Sequence, residues 1–101
     1  MKNLNKKNLK ELNRSISEFT VLRGFYQDYK DLDYSTKKGR FGSYCFHKSL
    51  EIAIRIYKEF GIALISESFM LEDVLPNEKE YEERHQMAKD NYFNFEEKEV
   101  A

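Results

Sequence analysis

The 101-residue chain reads as all-α: a small compact bundle of three to four helices, with a long first helix and a central, apolar second one. Three observations predict this. Apolar residues recur at spacings of three and four over long stretches, which is the period of a helix face. Only 4 Gly and 1 Pro interrupt the chain, too few for the tight turns of an all-β domain. Aromatic residues make up 15% of it, and disordered chains are poor in them. Residues 1–95 are expected to form one helical domain, and residues 96–101 an acidic tail.

The first helix is the clearest. Leu9, Leu12, Ile16, Phe19, Leu22, Phe25, Tyr29 and Leu32 form a single stripe, predicting a helix over residues 8–31 with Asn8 and Glu11 as a capping box. The β-branched pair Thr20–Val21 marks a place where so long a helix would break. Residues 31–43 lack an apolar period and read as a loop in which Gly39 and Gly42 supply turns. Ser43 then caps a second helix to Phe60, with Phe46, Leu50, Ala53, Ile54, Tyr57 and Phe60 on one face and Cys45, Ile52 and Ile56 on another. Apolar over most of its circumference, it is expected at the centre, with Gly61 ending it.

Residues 62–75 fit either a short strand at Ile62–Ile65 or a helix capped by Ser66 or Ser68. A lone strand would leave its backbone groups unpaired, which favours the helix. Pro76 ends that element, and Asn77 with Glu80 opens a last helix running to Phe93. Tyr81, His85, Ala88, Tyr92 and Phe95 share its stripe.

Charge divides the chain more sharply than its net of −1 suggests. Residues 1–50 hold 11 Lys/Arg against 5 Asp/Glu, a balance of +6, and residues 51–101 hold 6 against 13, a balance of −7. Such segregation points to partners. After the rings assigned to the core are removed, the candidate contact residues are Tyr34, Lys37, Lys38, Arg40, Phe41 and Tyr44. Cations beside rings suit an acidic protein surface or single-stranded nucleic acid. Glu78, Glu82 and Glu83 form a second, acidic contact surface. Some cations are instead expected in local pairs, Lys7–Glu11, Arg14–Glu18 and Glu51–Arg55.

Catalytic and metal chemistry have thin support. The single cysteine, Cys45, excludes an internal disulfide and fits a reducing cytosol, and it reads as a small buried hydrophobe. No signal peptide or membrane span is expected, so the chain is placed in the cytoplasm. Glu82-x-x-His85 is half of a helical metal motif without its second half, so no metal and no cofactor is expected. Arg40 and His47, with six residues between them, resemble the Arg-x(4–6)-His motif of the HEPN family of small helical proteins. That resemblance implies a dimeric ribonuclease or its antitoxin partner, with His47 and Arg40 at the cleavage site. In that family the motif opens the last long helix, whereas here about half the chain follows it. The leading expectation is a non-enzymatic, protein-binding accessory or inhibitor protein of bacterial or phage type, whose partner is another protein or a second copy of itself. The HEPN-like ribonuclease and a single-stranded nucleic-acid-binding module stand behind it.

Overall fold

A computed structural model describes residues 1–64 and 71–95. They form α1 (Lys6–Tyr29), α2 (Lys37–Phe60), a single turn α3 (Leu71–Val74) continued by a 3-10 turn at Leu75–Asn77, and α4 (Glu78–Phe93). No strand occurs among the described residues. The all-α prediction therefore holds. The expected serine caps at 66 and 68 and the tail at 96–101 lie outside the described residues.

α1 begins two residues before the predicted start. Its cap is Asn5, whose side chain accepts from the Asn8 amide at 2.9 Å. Asn8 is thus inside the helix, where its side-chain amide donates to the Asn3 carbonyl, and the expected Asn8–Glu11 box does not form. There is no break at Thr20–Val21. Thr20 Oγ1 donates back to the Ile16 carbonyl, which satisfies the hydroxyl without interrupting the helix.

The larger difference lies between the long helices. α2 starts at Lys37, capped by Thr36, whose hydroxyl accepts from the Gly39 amide at 3.1 Å. The predicted loop is confined to residues 31–36, and the Ser43 cap is wrong. Gly39 and Gly42 stand inside the helix with ordinary negative φ, and both are buried. They serve close approach instead of turning. A Cβ on Gly39 would lie 2.1 Å from the Asp33 carbonyl oxygen, and one on Gly42 would lie 3.0 Å from Tyr29 Cβ. The linker and the end of α1 therefore lie directly on the first turns of α2. Gly61, at φ 69°, ends the helix as predicted.

α2 packs against both α1 and α4, which barely touch each other. The core between α1 and α2 is Leu12, Phe19, Ile52, Ala53, Ile56 and Phe60, with Ile16, Leu22 and Leu71 around it. Cys45 is fully buried, as expected. α3 stops at Val74, just before Pro76, as predicted; Pro76 sits at the start of the 3-10 turn, where its missing amide costs nothing, and α4 follows at once. Asn77 makes no side-chain cap. Its amide donates to the Asp73 carbonyl, so the Asn77–Glu80 box is also absent. The expected i,i+4 pairs do not form among the described residues. Glu11 takes Lys2, Arg55 donates to Ser15 on α1, and Glu51 takes Lys48 and His85; Lys7 and Arg14 make no ion pair among the described residues.

Candidate binding end and the histidine groove

The end of the bundle where α2 starts and α4 stops holds the predicted contact residues. The linker is fixed by its own backbone. Asp33 Oδ1 accepts from the Ser35 amide, which holds the Asp33 carboxyl below its ordinary range, and the Asp33 carbonyl accepts from Thr36 N and Oγ1. Rings from three elements then converge. Phe41 meets Phe25, Tyr29 and Tyr92 at centroid distances of 5.4, 5.8 and 5.2 Å, and Tyr44 stacks on Tyr92 at 5.5 Å beside Phe93. Offset and edge contacts at these distances are favourable beyond simple burial. A shallow cleft of about 290 Å³ opens among Tyr29, Lys37, Lys38, Phe41 and Tyr92.

The six predicted residues divide into two groups. Tyr34 is 47% exposed, and Lys37 and Lys38 are exposed with it. Arg40 is committed to the fold: its guanidinium donates to the Tyr34 carbonyl at 2.9 Å and the Asn91 carbonyl at 3.3 Å, and lies over the rings of Tyr34 and Phe95. Asn91 in turn donates to the Tyr34 hydroxyl at 3.0 Å. Arg40 thus ties the linker to the carboxyl end of α4, where unsatisfied carbonyls favour a cation. Phe41 and Tyr44 are half-buried walls. Phe93, 61% exposed, and Phe25, 39% exposed, belong to the same end and were missed. Phe25 had been counted as core by its period. Phe93 falls off the α4 stripe, and an off-stripe ring at a helix end is the signal that would have found it.

A second site lies between α2 and α4: a groove of about 320 Å³ lined by His47, Leu50, Glu51, Ile54, Glu78, Tyr81, Glu82, His85 and Gln86. His85 Nε2 contacts the Glu51 carboxylate across the two helices. The Nδ1 atoms of both imidazoles are buried without a hydrogen-bond partner among the described residues. Burial holds His47 below its ordinary pKa, and the neighbouring His85 and Arg84 push it the same way. Burial also lowers His85, although Glu51 opposes it.

Of the predicted acidic surface, Glu78 pairs with Lys58 and lines the groove together with Glu82, and Glu83 is exposed. Among the described residues no three His, Cys, Asp or Glu side chains are grouped to hold a metal ion. Within one chain Arg40 and His47 are not brought together, because seven residues of helix place them about 10 Å apart along the axis and Arg40 is bonded elsewhere. Burial pushes the Cys45 thiol up to about 11, which makes it a poor nucleophile. No described helix is long and apolar enough to cross a membrane. Comparison of the chain with protein-family models, with curated proteins and with solved structures gives no match.

Proposed function

We propose that the protein acts by binding a partner protein at the end where α2 begins and α4 stops, as a small cytoplasmic accessory or inhibitor protein without catalysis of its own. One observation carries the reading: exposed Lys37 and Lys38 line a ring-walled cleft, with the exposed Tyr34 and Phe93 at the same end of the bundle. Rings with one face locked by packing present apolar area at little entropic cost, and rings with cations are typical interface anchors. The partner surface that fits is apolar at its centre and acidic at its rim.

Charge at this end favours a protein over a nucleic acid. Residues 28–40 hold four cations, Lys30, Lys37, Lys38 and Arg40, against three carboxylates, Asp28, Asp31 and Asp33. Arg40 is already occupied. A phosphate track needs a larger uncompensated excess than that.

The test is a pull-down of tagged protein from its native cell, in parallel with Lys37→Glu/Lys38→Glu and Phe93→Ala. A stoichiometric protein partner that both variants lose, with helicity unchanged by circular dichroism, is the expected result. A partner retained by both variants, or none recovered, refutes the site. Steep, salt-sensitive retardation of single-stranded RNA or DNA by the wild type would replace the protein partner with a nucleic acid.

A further inference from the structure

We propose that the His47–His85 pair makes the seating of α4 on α2 acid-sensitive, so that a fall in pH from neutrality loosens α4 from the bundle. α4 is held at its two ends by the ring cluster, the Arg40 hydrogen bond and the Lys58–Glu78 pair, and little of it is buried between them. Among the long helices it packs mainly on α2, and Ala88 is its one buried residue among those described. Tyr81, His85 and Tyr92, on the same stripe, are half-buried. The middle of the seat is therefore polar, and two imidazoles stand in it.

Both rings suit the neutral state. If His85 Nε2–H donates to Glu51, then its buried Nδ1 is a lone pair with no donor. Protonation would turn that atom into a buried charged N–H with no acceptor, a far worse burial. His47 Nδ1 is enclosed in the same way. The surrounding charges add to this. From α4, His47 meets His85 and Arg84; its own helix contributes Glu51 and Lys48 to the same seat. His85 meets Glu51 and Lys48 from α2 and Lys89 from its own helix, with Glu78 and Glu82 along the groove. The one close carboxylate, Glu51, is shared with Lys48, so it offsets only part of the cost.

The sign follows from where each proton binds better. Both histidines take a proton less readily when α4 is seated than when they are free in water. Seating is therefore complete above the free-imidazole pKa of about 6.5 and weakens as pH falls below it, by up to tenfold per histidine per pH unit. The ring cleft at the far end of α4 uses Tyr92, so loosening the helix would also dismantle that cleft.

Hydrogen exchange read by mass spectrometry or NMR tests the proposal, with α4 protection factors normalised to those of α2 in the intact chain. Between about pH 7.5 and pH 5.5 the relative protection of residues 81–90 is expected to fall at least about tenfold. In His47→Gln/His85→Gln the fall should disappear. A flat profile in the wild type, or an equal fall in the variant, overturns the proposal. Should the variant not fold, imidazole NMR titration of the wild type decides: a His47 midpoint at or above about 6.5 is fatal, and one below it supports the proposal.

Discussion

Replacing Gly39 by alanine should destabilise the protein, although local preference says the reverse. In an exposed helix the change from Gly to Ala gains about 1 kcal/mol. Gly39 has an ordinary helical backbone, so alanine meets no torsional objection there. Space is the obstacle. An added Cβ would sit 2.1 Å from the Asp33 carbonyl oxygen and 2.7 Å from its carbon, both backbone atoms. That carbonyl accepts from Thr36 N at 3.0 Å and Thr36 Oγ1 at 2.6 Å, and Thr36 is the α2 cap. The clash cannot be relieved without disturbing the cap. Overpacking costs roughly 1–3 kcal/mol and a weakened cap about 1 kcal/mol, against the gain of about 1 kcal/mol. A net loss of about 1–3 kcal/mol is expected.

Gly24 is the internal control. Nothing lies within 4 Å of its added Cβ, so Gly24→Ala should gain roughly 0.5–1 kcal/mol. Gly42→Ala, 3.0 Å from Tyr29 Cβ and 3.2 Å from its carbonyl group, should fall between the two. Urea unfolding followed by far-UV circular dichroism separates them, with a span from Gly24→Ala to Gly39→Ala of about 2–4 kcal/mol, or on the order of 10 °C or more in Tm. Equal midpoints for the two variants would mean that the linker does not lie on the first turn of α2, and the description of the binding end would fail with it.

Three further outcomes follow from the same contacts. Gly61→Ala forces a side chain to φ 69° at the α2 C-cap and should cost about 1 kcal/mol in the same urea titration, where no loss would contradict the left-handed cap. Cys45, fully buried with its thiol pushed up to about 11 from 9.0, should show on the order of 100-fold less thiolate than a free cysteine. A thiol reagent at mildly alkaline pH should therefore label it rapidly in urea and slowly in the native protein, and equal rates would refute the burial. Arg40→Met removes the donors to the Tyr34 and Asn91 carbonyls and should cost about 1–3 kcal/mol. In exchange experiments that loss should appear first at the end of α4, and a change confined to α1 would be inconsistent with it.

What the sequence made legible was period, and what it hid was proximity. The stripe from Leu12 to Tyr29 and the faces of Cys45, Leu50, Ile52 and Ile56 are local facts about spacing, so the long helices and most of the core could be read directly. Gly39 and Gly42 look the same in sequence whether they turn a loop or admit a neighbouring backbone. Only the position of Asp33 and Tyr29 against α2 decides between the two. The caps failed for a related reason. Asn5 and Thr36 compete with Asn8 and Ser43 as equally good cap residues, and the choice falls to whichever chain direction lets the linker pack. Of the residues proposed for contact, Tyr34, Lys37 and Lys38 are exposed as the sequence reading needs. Phe93 arrives from fifty residues away, and Arg40 looked free because its acceptors are backbone carbonyls.

That last point changes what the charge split means. Had the two halves attracted each other directly, the cations at the start of α2 would face the carboxylates of α4. Instead Arg40 meets a carbonyl at the α4 terminus and Glu78 is taken by Lys58 from its own half, while the pairs that do join the halves, Lys48–Glu51 and Lys2–Glu59, lie away from this end. Lys2, at the opposite end, reaches Glu11 and Glu59. Lys37 and Lys38 are left without a carboxylate partner among the described residues, with Lys37 over the Tyr92 ring. Exposed, uncompensated ammonium groups contribute little to folding. For the acidic partner proposed above their contribution to association would be larger, because they would steer it toward the ring cleft before contact. Reversing Lys37 and Lys38 should therefore slow association and flatten its salt dependence while leaving the urea midpoint nearly unchanged, whereas losing Arg40 should lower the midpoint. If the lysine variant proved as unstable as the arginine one, all three cations would belong to the fold, and this end would have no charge left over for a partner.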